Sequence, residues 1–215
     1  MDKNIIFLGP PGSGKGTQAK FVAQKYGLFY FGTGDLMREE AEKNTEYGKI
    51  FQAVWDKSKG ELVSDNITND FIKEKIQNIG IDKYFVFDGI PRTMEQVELL
   101  ENIFASVNNH FIVLNITSSV QAIIKRMETR RVCSKCDKII YRAEENNITV
   151  CDKCGGKLVQ RQEDNSGVIK KRIAVYEKAT KPVISYYKEK GNLIDIDGEP
   201  KIEVVRKEVL DKLNG

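Results

Sequence analysis

Long apolar runs and a strong charge of either sign are both missing from this chain of 215 residues. No stretch approaches the ~18 apolar residues that cross a membrane, and the first residues lack the hydrophobic run of a signal peptide. Lysine and arginine number 34 against 31 aspartates and glutamates, so a nucleic-acid-coating surface is not expected. We therefore expect a cytoplasmic monomer that binds neither membranes nor nucleic acids and meets anionic ligands through local charge clusters.

Cysteine is also scarce, and the four cysteines share one short segment, Cys133-x-x-Cys136, fourteen further residues and Cys151-x-x-Cys154. A reducing cytosol disfavours disulfides. Two CxxC turns at this spacing are typical of a zinc ribbon, in which four thiolates complete a tetrahedron around the ion. We therefore predict a structural zinc site that leaves no coordination position open and takes no part in chemistry.

Short runs rich in β-branched and aromatic residues recur along the chain, with helical patterns between them. Continuous apolar runs of this length suit strands buried on both faces, as in a parallel sheet. The segment from Lys15 to Tyr26 repeats apolar residues at the spacing of one helix face. The pattern predicts an α/β fold, a five-stranded parallel sheet with helices on both faces. The predicted strands are Ile5 to Leu8, Leu28 to Phe31, Tyr84 to Phe87, Phe111 to Ile116 and Leu193 to Ile196.

Two segments interrupt this alternation of strands and helices. Residues 33–63 are charged and helical in pattern, and residues 129–164 contain every cysteine but little apolar periodicity. Both are predicted to be inserts on a doubly wound core. The core domain would consist of residues 1–32, 64–128 and 165–215.

A glycine-rich loop joins the first predicted strand to the first predicted helix. Its sequence is Gly9-Pro10-Pro11-Gly12-Ser13-Gly14-Lys15-Gly16-Thr17, in the strand-loop-helix context of a phosphate-binding P-loop. Backbone N–H groups of such a loop bind phosphate oxygens, and Lys15 can reach the β- and γ-phosphates. The sequence therefore predicts a P-loop NTPase. Gly16 departs from the general motif, which has Ser or Thr after the lysine.

The loop pattern GxPGxGKGT resembles that of adenylate kinases and related nucleoside monophosphate kinases. Asp88-Gly89-Ile90-Pro91-Arg92-Thr93, followed by Gln96, is similar to the acceptor signature of adenylate kinases. Phe31-Gly32-Thr33-Gly34-Asp35-Leu36-Met37-Arg38 resembles the family's second strand-to-helix turn. With the cysteine cluster, placed as in the zinc-binding lids of many bacterial members, the resemblance covers nearly the whole chain. It implies reversible transfer of the terminal phosphoryl group of MgATP to AMP, which gives two ADP.

The resemblance also implies an AMP site. Arg38 and Arg92 would grip the AMP phosphate, Thr33 would contact the adenine and Gln96 would read its edge. Each has a simpler alternative: Thr33 can cap a helix, Arg38 can face solvent, and Thr93-x-x-Gln96 is also a capping box. The segment from Gly60 to Asp65 would line the base with backbone atoms. The other AMP-site positions implied are Glu61, Leu62, Val63, Gly89, Ile90, Pro91, Arg161 and Arg172.

On the donor side, the resemblance places Arg126 on the ATP adenine, where it can stack. Asp88 would hold magnesium through water. Because the reaction joins two polyanions, charge neutralisation by arginines should dominate. The implied catalytic residues are Lys15, Asp88, Arg92, Arg130, Arg161 and Arg172. The implied ATP-binding residues are Gly12, Ser13, Gly14, Lys15, Gly16, Thr17, Arg126, Arg130, Ile140, Tyr141 and Pro200. Val168 replaces a threonine usual in the family, which predicts weaker helix capping or lid anchoring.

Two alternative functions stay open on the sequence. A GTP-using AMP kinase or another nucleoside monophosphate kinase, such as a UMP/CMP kinase, would share the P-loop and the acceptor signature. Thr33, Gln96 and the long lid disfavour a UMP/CMP kinase, whereas donor recognition rests largely on the backbone. A zinc-ribbon nucleic-acid-binding ATPase would need basic and aromatic residues on its ribbon. The segment between the CxxC pairs instead mixes acidic with basic residues: Asp137, Glu144 and Glu145 with Lys138 and Arg142.

Overall fold

The computed structural model describes residues 1–57, 61–107, 110–136, 138–141 and 147–214. Gly60, Asp137, Arg142, Glu144 and Glu145, which entered the sequence predictions, lie outside these residues. The described strands are β1 (Asn4–Leu8), β2 (Phe29–Gly32), β3 (Phe85–Asp88), β4 (Phe111–Thr117), β5 (Arg130–Cys133), β6 (Ile139–Tyr141), β7 (Leu158–Val159) and β8 (Leu193–Asp197). The described helices are α1 (Lys15–Tyr26), α2 (Thr33–Ala41), α3 (Glu46–Lys57), α4 (Asp65–Ile79), α5 (Met94–Phe104), α6 (Val120–Glu128), α7 (Ser166–Ala179), α8 (Lys181–Glu189) and α9 (Ile202–Asn214).

The core is a parallel five-stranded sheet in the order β2-β3-β1-β4-β8. The predicted α/β fold is thus confirmed, although β2 and β3 each begin one residue later than their apolar runs suggested. The carboxyl ends of parallel strands meet at one edge of a sheet, where α/β proteins bind their ligands. The glycine-rich loop after β1 and Asp88 at the end of β3 both lie at this edge.

Helices cover the two faces of this sheet because successive strand residues point to opposite sides. Ile6 and Leu8 face α4, α5 and α8, whereas Ile5 and Phe7 face α1 and α9. All residues of β1 are buried. A strand buried on both faces needs the continuous apolar run that the sequence has there. None of the described helices is long and apolar enough to span a membrane.

The segment at residues 33–63 contributes α2 and α3, which pack against α4 through an aromatic cluster. Phe51 is fully buried and meets Phe71 of α4 edge to face, with ring centroids 5.0 Å apart. Tyr47 and Trp55 flank Phe51 at centroid distances of 6.0 and 6.3 Å. This insert therefore shares its small core with the main domain.

The segment at residues 129–164 forms a small antiparallel sheet in the order β6-β5-β7. Val132 and Ile140 are its buried aliphatic side chains among the described residues of the segment. The chain then enters α7, whose first turn is capped by Asn165 Oδ1, which accepts from Val168 N–H at 3.0 Å. Capping of α7 therefore does not need a threonine at position 168, while weaker lid anchoring stays a prediction.

Candidate active site

The loop between β1 and α1 has the backbone shape of a phosphate cradle. Gly9, Gly12 and Gly14 have φ values of 139°, 79° and 97°, which side chains of L-residues rarely adopt. Gly14 stands directly before α1, so the helix N-terminus points into the loop. Backbone N–H groups and the helix dipole together favour an anion at this position.

Gly16 is explained by a contact with Asp88. A Cβ atom at position 16 would lie 2.7 Å from Asp88 Oδ2, which is closer than real Cβ contacts. The strand pairing that places Asp88 beside Phe7 of β1 thus brings its carboxylate against the start of α1. The departure from the general P-loop pattern is therefore a steric requirement of this site.

Lys15 lies in a strongly cationic environment. Its Nζ donates to Pro10 O at 3.2 Å. The pKa of Lys15 is lowered to about 8, chiefly by burial and also by Arg92, Arg172 and Arg130, while Asp88 opposes them. An anion bound among these groups would relieve their mutual repulsion.

The arginines around Lys15, Arg92 and Arg172, are only partly exposed. Burial lowers the pKa of Arg92, whose Nε donates to Gly89 O at 2.8 Å. Burial also lowers the pKa of Arg172 to about 10. Its Nη1 has no hydrogen-bond partner among the described residues and lies 3.8 Å from Asp164 Oδ1. Buried N–H groups without partners are costly, so this arrangement suits a phosphate ligand.

Two further arginines connect the lid segment to this cluster. Arg130 donates to the fully buried Asp164 through Nε at 2.7 Å and Nη2 at 2.5 Å. Although burial opposes it, Asp164 raises the pKa of Arg130. Arg161 Nη2 lies 4.0 Å from Asp35 Oδ1, and burial, Arg38 and Arg130 lower the pKa of Arg161. Arg130 thus lies near Lys15, Arg161 lies near Arg38, and both predicted lid arginines are paired with carboxylates.

A cavity of about 470 Å³ lies between α2, the P-loop and α7. Thr33 Oγ1 is buried beside it with no hydrogen-bond partner among the described residues. Arg38 donates to Asp35 and lies 3.6 Å from Glu163 Oε1. Ile90 is buried and neither Ile90 nor Arg161 is part of the lining. The predicted residues that line the cavity are Lys15, Thr33, Arg38, Glu61, Leu62, Val63, Gly89, Pro91, Arg92, Gln96 and Arg172.

The Gln96 side chain lines the cavity and is hydrogen-bonded to the residues that precede α5 and begin α4. Its Oε1 accepts from Arg92 N–H at 2.8 Å, and its Nε2 donates to Asp65 Oδ1 at 2.7 Å. Thr93 Oγ1 accepts from Gln96 N–H at 3.3 Å, so half of the predicted capping box is present. The amide keeps one N–H and one lone pair beyond these bonds. The structural role and an adenine-reading role can therefore coexist.

A second groove, of about 320 Å³, lies on the other side of the P-loop. Arg126 donates to Gly198 O at 2.7 Å and to Glu199 O at 3.0 Å. Glu199 Oε1 in turn accepts from Ser119 N–H at 2.8 Å, which ties this loop to the start of α6. Ile140 packs within the lid sheet instead of lining the groove. The predicted donor residues that line it are Ser13, Gly14, Thr17, Arg126, Tyr141 and Pro200.

Several polar residues at the site escaped the sequence reasoning. Glu199 holds the donor-side loop, and Gln18 lines the same groove. Tyr30 contacts both Asp88 and Asp35. A lone tyrosine within an apolar strand gives no signal of such a role. Asp35 stood inside a motif, and its spacing from Arg38, three residues on a helix, could have indicated the ion pair.

The four cysteines converge as their spacing predicted. Their sulfurs lie within 4.8 Å of one another, with Cys133 and Cys154 3.5 Å apart and Cys136 and Cys151 3.6 Å apart. Four thiolates at about 2.3 Å from a tetrahedral ion would stand about 3.8 Å apart, so the cage fits zinc. Glycine at position 156 leaves room for this cluster, because a Cβ there would lie 2.6 Å from Cys133 Sγ. The thiols are free.

Comparison with known proteins gives one consistent result. The model of the adenylate kinase family matches residues 7–192. The adenylate kinase of Archaeoglobus fulgidus is 43% identical over 210 residues, which cover 96% of this chain and 95% of that protein. Those of Petrotoga mobilis and Kosmotoga olearia are 40% and 38% identical, each over at least 96% of both chains.

Proposed function

Because the chain belongs to the adenylate kinase family, whose reaction moves the terminal phosphoryl group of ATP to AMP, we propose that its two cavities are the two substrate sites. The 470 Å³ cavity receives AMP, and the groove beside Arg126 receives ATP. The observation that supports this assignment is that one loop borders both. Lys15 lines the first cavity, while Ser13, Gly14 and Thr17 line the second.

In the acceptor cavity, Arg38 and Arg92 bind the AMP phosphate. The unpaired hydroxyl of Thr33 and the spare N–H and lone pair of Gln96 meet the adenine. Glu61, Leu62 and Val63 line the base with main-chain atoms. The Glu61 carboxylate is ion-paired with Lys171 at 2.5 Å and need not contact the base. Arg38 must leave Asp35 in part when the phosphate arrives. In the structure this arginine is thus paired with a carboxylate.

Transfer needs no protein base, because the attacking group is itself a phosphate oxygen. The chain positions the two phosphates in line and neutralises their charge. Lys15, Arg92 and Arg172 line the acceptor cavity beside the P-loop, and Arg130 and Arg161 bring further positive charge from residues 129–164. Asp88 offers the carboxylate oxygens that a magnesium ion prefers. Magnesium, when bound with ATP, supplies further charge neutralisation.

Residues 129–164 act as a lid whose fold depends on a structural metal held by Cys133, Cys136, Cys151 and Cys154. The cage is closed by four protein ligands, so the ion makes no contact with substrate. Residues 33–63 act as the second mobile insert. Both close on substrate because Arg38, Arg130 and Arg161 gain phosphate partners only then. We further expect that the chain acts as a monomer.

A coupled assay with ATP and AMP tests the assignment against GTP, CMP and UMP. Lys15→Met should lower turnover by roughly a thousandfold or more, in line with the loss of a group that stabilises transition-state charge. Lys25→Met is its matched control, since Lys25 lies exposed in the last turn of the same helix. Arg92→Ala should cripple the use of AMP. Unchanged turnover in folded Lys15→Met protein would overturn the assignment.

A further inference from the structure

Tyr30 on β2 contacts two carboxylates, one beside the P-loop and one beside the acceptor-site arginine Arg38. Its hydroxyl oxygen lies 3.1 Å from Asp88 Oδ2, beside the P-loop, and 3.2 Å from Asp35 Oδ2, beside Arg38. Lys20 of α1 completes the group, with Nζ 2.7 Å from Asp35 Oδ2 and 5.2 Å from the centre of the Tyr30 ring. One phenol thus touches the carboxylate nearest the proposed magnesium position and the carboxylate that holds the AMP-site arginine.

Gly32 makes this placement of Tyr30 possible. The two residues lie on the same face of β2, and Gly32 is the strand partner of Asp88. A Cβ at position 32 would lie within 2.6 Å of Tyr30 Cε1 and Cζ and would also overlap the hydroxyl. The backbone at Gly32, with φ −89°, suits any residue. Glycine is therefore required here by the tyrosine ring and not by backbone conformation.

The phenol has one proton and two carboxylate neighbours. A carboxylate can only accept, so Tyr30 donates to Asp88 or to Asp35 but not fully to both. A carboxylate that shares its charge with a cation is a weaker acceptor. If the Asp88 carboxylate held magnesium, it would accept the Tyr30 hydrogen bond less strongly, and the Tyr30 proton should therefore favour Asp35. Asp35 then holds Arg38 less tightly, and the guanidinium becomes available to the AMP phosphate.

We propose that Tyr30 is a positioning residue that couples magnesium at Asp88 to AMP binding at Arg38, through the hydroxyl proton it shares between Asp88 and Asp35. The inference rests on the proposed substrate sites. By reciprocity, AMP binding also strengthens the binding of magnesium with the donor nucleotide.

Calorimetric titration of AMP measures this coupling without turnover. The enzyme is saturated with an ATP analogue whose β,γ-bridge is an imido group, first with magnesium and then in magnesium-free buffer without a chelator, so that the lid metal stays bound. We expect magnesium to tighten AMP binding at least about fivefold in the natural chain, the lower end of coupling between sites. In Tyr30→Phe the magnesium effect should fall to within about twofold of none. Gly32→Ala, which displaces the ring, should reproduce the loss.

Tyr187→Phe is the matched control, because the buried Tyr187 hydroxyl has no hydrogen-bond partner among the described residues. It should keep the full magnesium effect. The proposal is overturned if Tyr30→Phe keeps that effect, if the natural chain shows none, or if Tyr187→Phe loses it as well. Arg38→Ala distinguishes failure of the proposed coupling from failure of the proposed acceptor site. If Arg38→Ala binds AMP as tightly as the natural chain, the proposed acceptor site itself is wrong.

Discussion

The described part of residues 33–63 packs aromatic rings against the core, whereas the described part of residues 129–164 brings four cysteines together. Phe51 of the first segment is fully buried against Phe71 of α4. The described part of the second buries Val132 and Ile140 but no aromatic side chain, beside two fully or nearly buried cysteines. The first insert is therefore stabilised by packing against the main core. We propose that the second obtains its stability locally, from a metal ion held by its four cysteines.

The two inserts also differ where they join the core. The lid segment is anchored by the buried ion pair of Arg130 with Asp164. At the exit of the other insert, the neutral amide of Gln96 binds Asp65 at 2.7 Å. Breaking a buried ion pair leaves an uncompensated charge, while breaking an amide–carboxylate bond leaves one unpaired acceptor. Breaking the junction of residues 129–164 with the core should therefore cost more free energy of unfolding than breaking the junction of residues 33–63.

Metal removal should give the largest effect. Cys151→Ser or a chelator should unfold the lid first, because metal binding supplies of order 10 kcal/mol to the folding of a small ribbon. The thermal midpoint should fall, and amide exchange should accelerate in β5 while β1 stays protected. Phosphotransfer should stay measurable at low temperature, since Lys15, Asp88 and Arg92 lie outside the lid.

Elemental analysis of the natural chain should find one ion for each chain. X-ray absorption should show sulfur neighbours at about 2.3 Å if the ion is zinc. Complete loss of activity in metal-free protein with an unchanged melting temperature would instead indicate a catalytic metal. That result would remove the distinction between the two inserts.

Phe51→Ala should come next in size. Loss of a fully buried phenylalanine costs about 3–5 kcal/mol of unfolding free energy, and here the cavity opens between the insert and α4. Urea unfolding measures this loss, and AMP affinity should weaken while ATP affinity holds. Phe29→Ala is the control, because Phe29 is 42% exposed on the edge strand β2. Equal costs for both substitutions would mean that the aromatic cluster does not stabilise the insert.

The sequence predicted those features that depend on residues close together in the chain. The strands of the core follow from continuous apolar runs, and the P-loop and both CxxC turns are contiguous motifs. The contacts that sequence reasoning missed join residues far apart in the chain. Tyr30 meets Asp88, and Glu199 meets Ser119. Their pairing depends on strand order and register, which no local pattern contains.

Gln96→Leu should have a smaller effect, of two kinds. It leaves Asp65 and Arg92 N–H without their partner, which should cost about 1–3 kcal/mol of unfolding free energy. It should also relax the choice of base, because the adenine edge loses its polar contact. Turnover with AMP, CMP and UMP measures the second effect. Asp65→Asn keeps an acceptor for Gln96 and should leave base selectivity intact. A lower melting temperature with full AMP selectivity would assign Gln96 to structure alone.

Proton uptake on ATP binding should be the smallest of these effects. It depends on Lys15 in the core and should be insensitive to the state of the two inserts. Lys15 has a pKa of about 8 in the folded chain against an ordinary value of 10.5, chiefly because it is buried. Its charge therefore opposes folding most below pH 8, and this cost fades as the pH rises from about 8 toward 10.5.

Bound phosphate favours the charged lysine, so ATP binding near pH 8.5 should take up a fraction of a proton, and near pH 6.5 should take up almost none from this group. Calorimetry in two buffers of different ionisation enthalpy measures the uptake, and Lys15→Met should abolish it. Because burial in the core outweighs the contribution of Arg130, stripping the lid metal should hardly move the pH at which uptake begins. A clear displacement of that pH in metal-free protein would show that the lid, and not the core, sets the environment of the P-loop lysine.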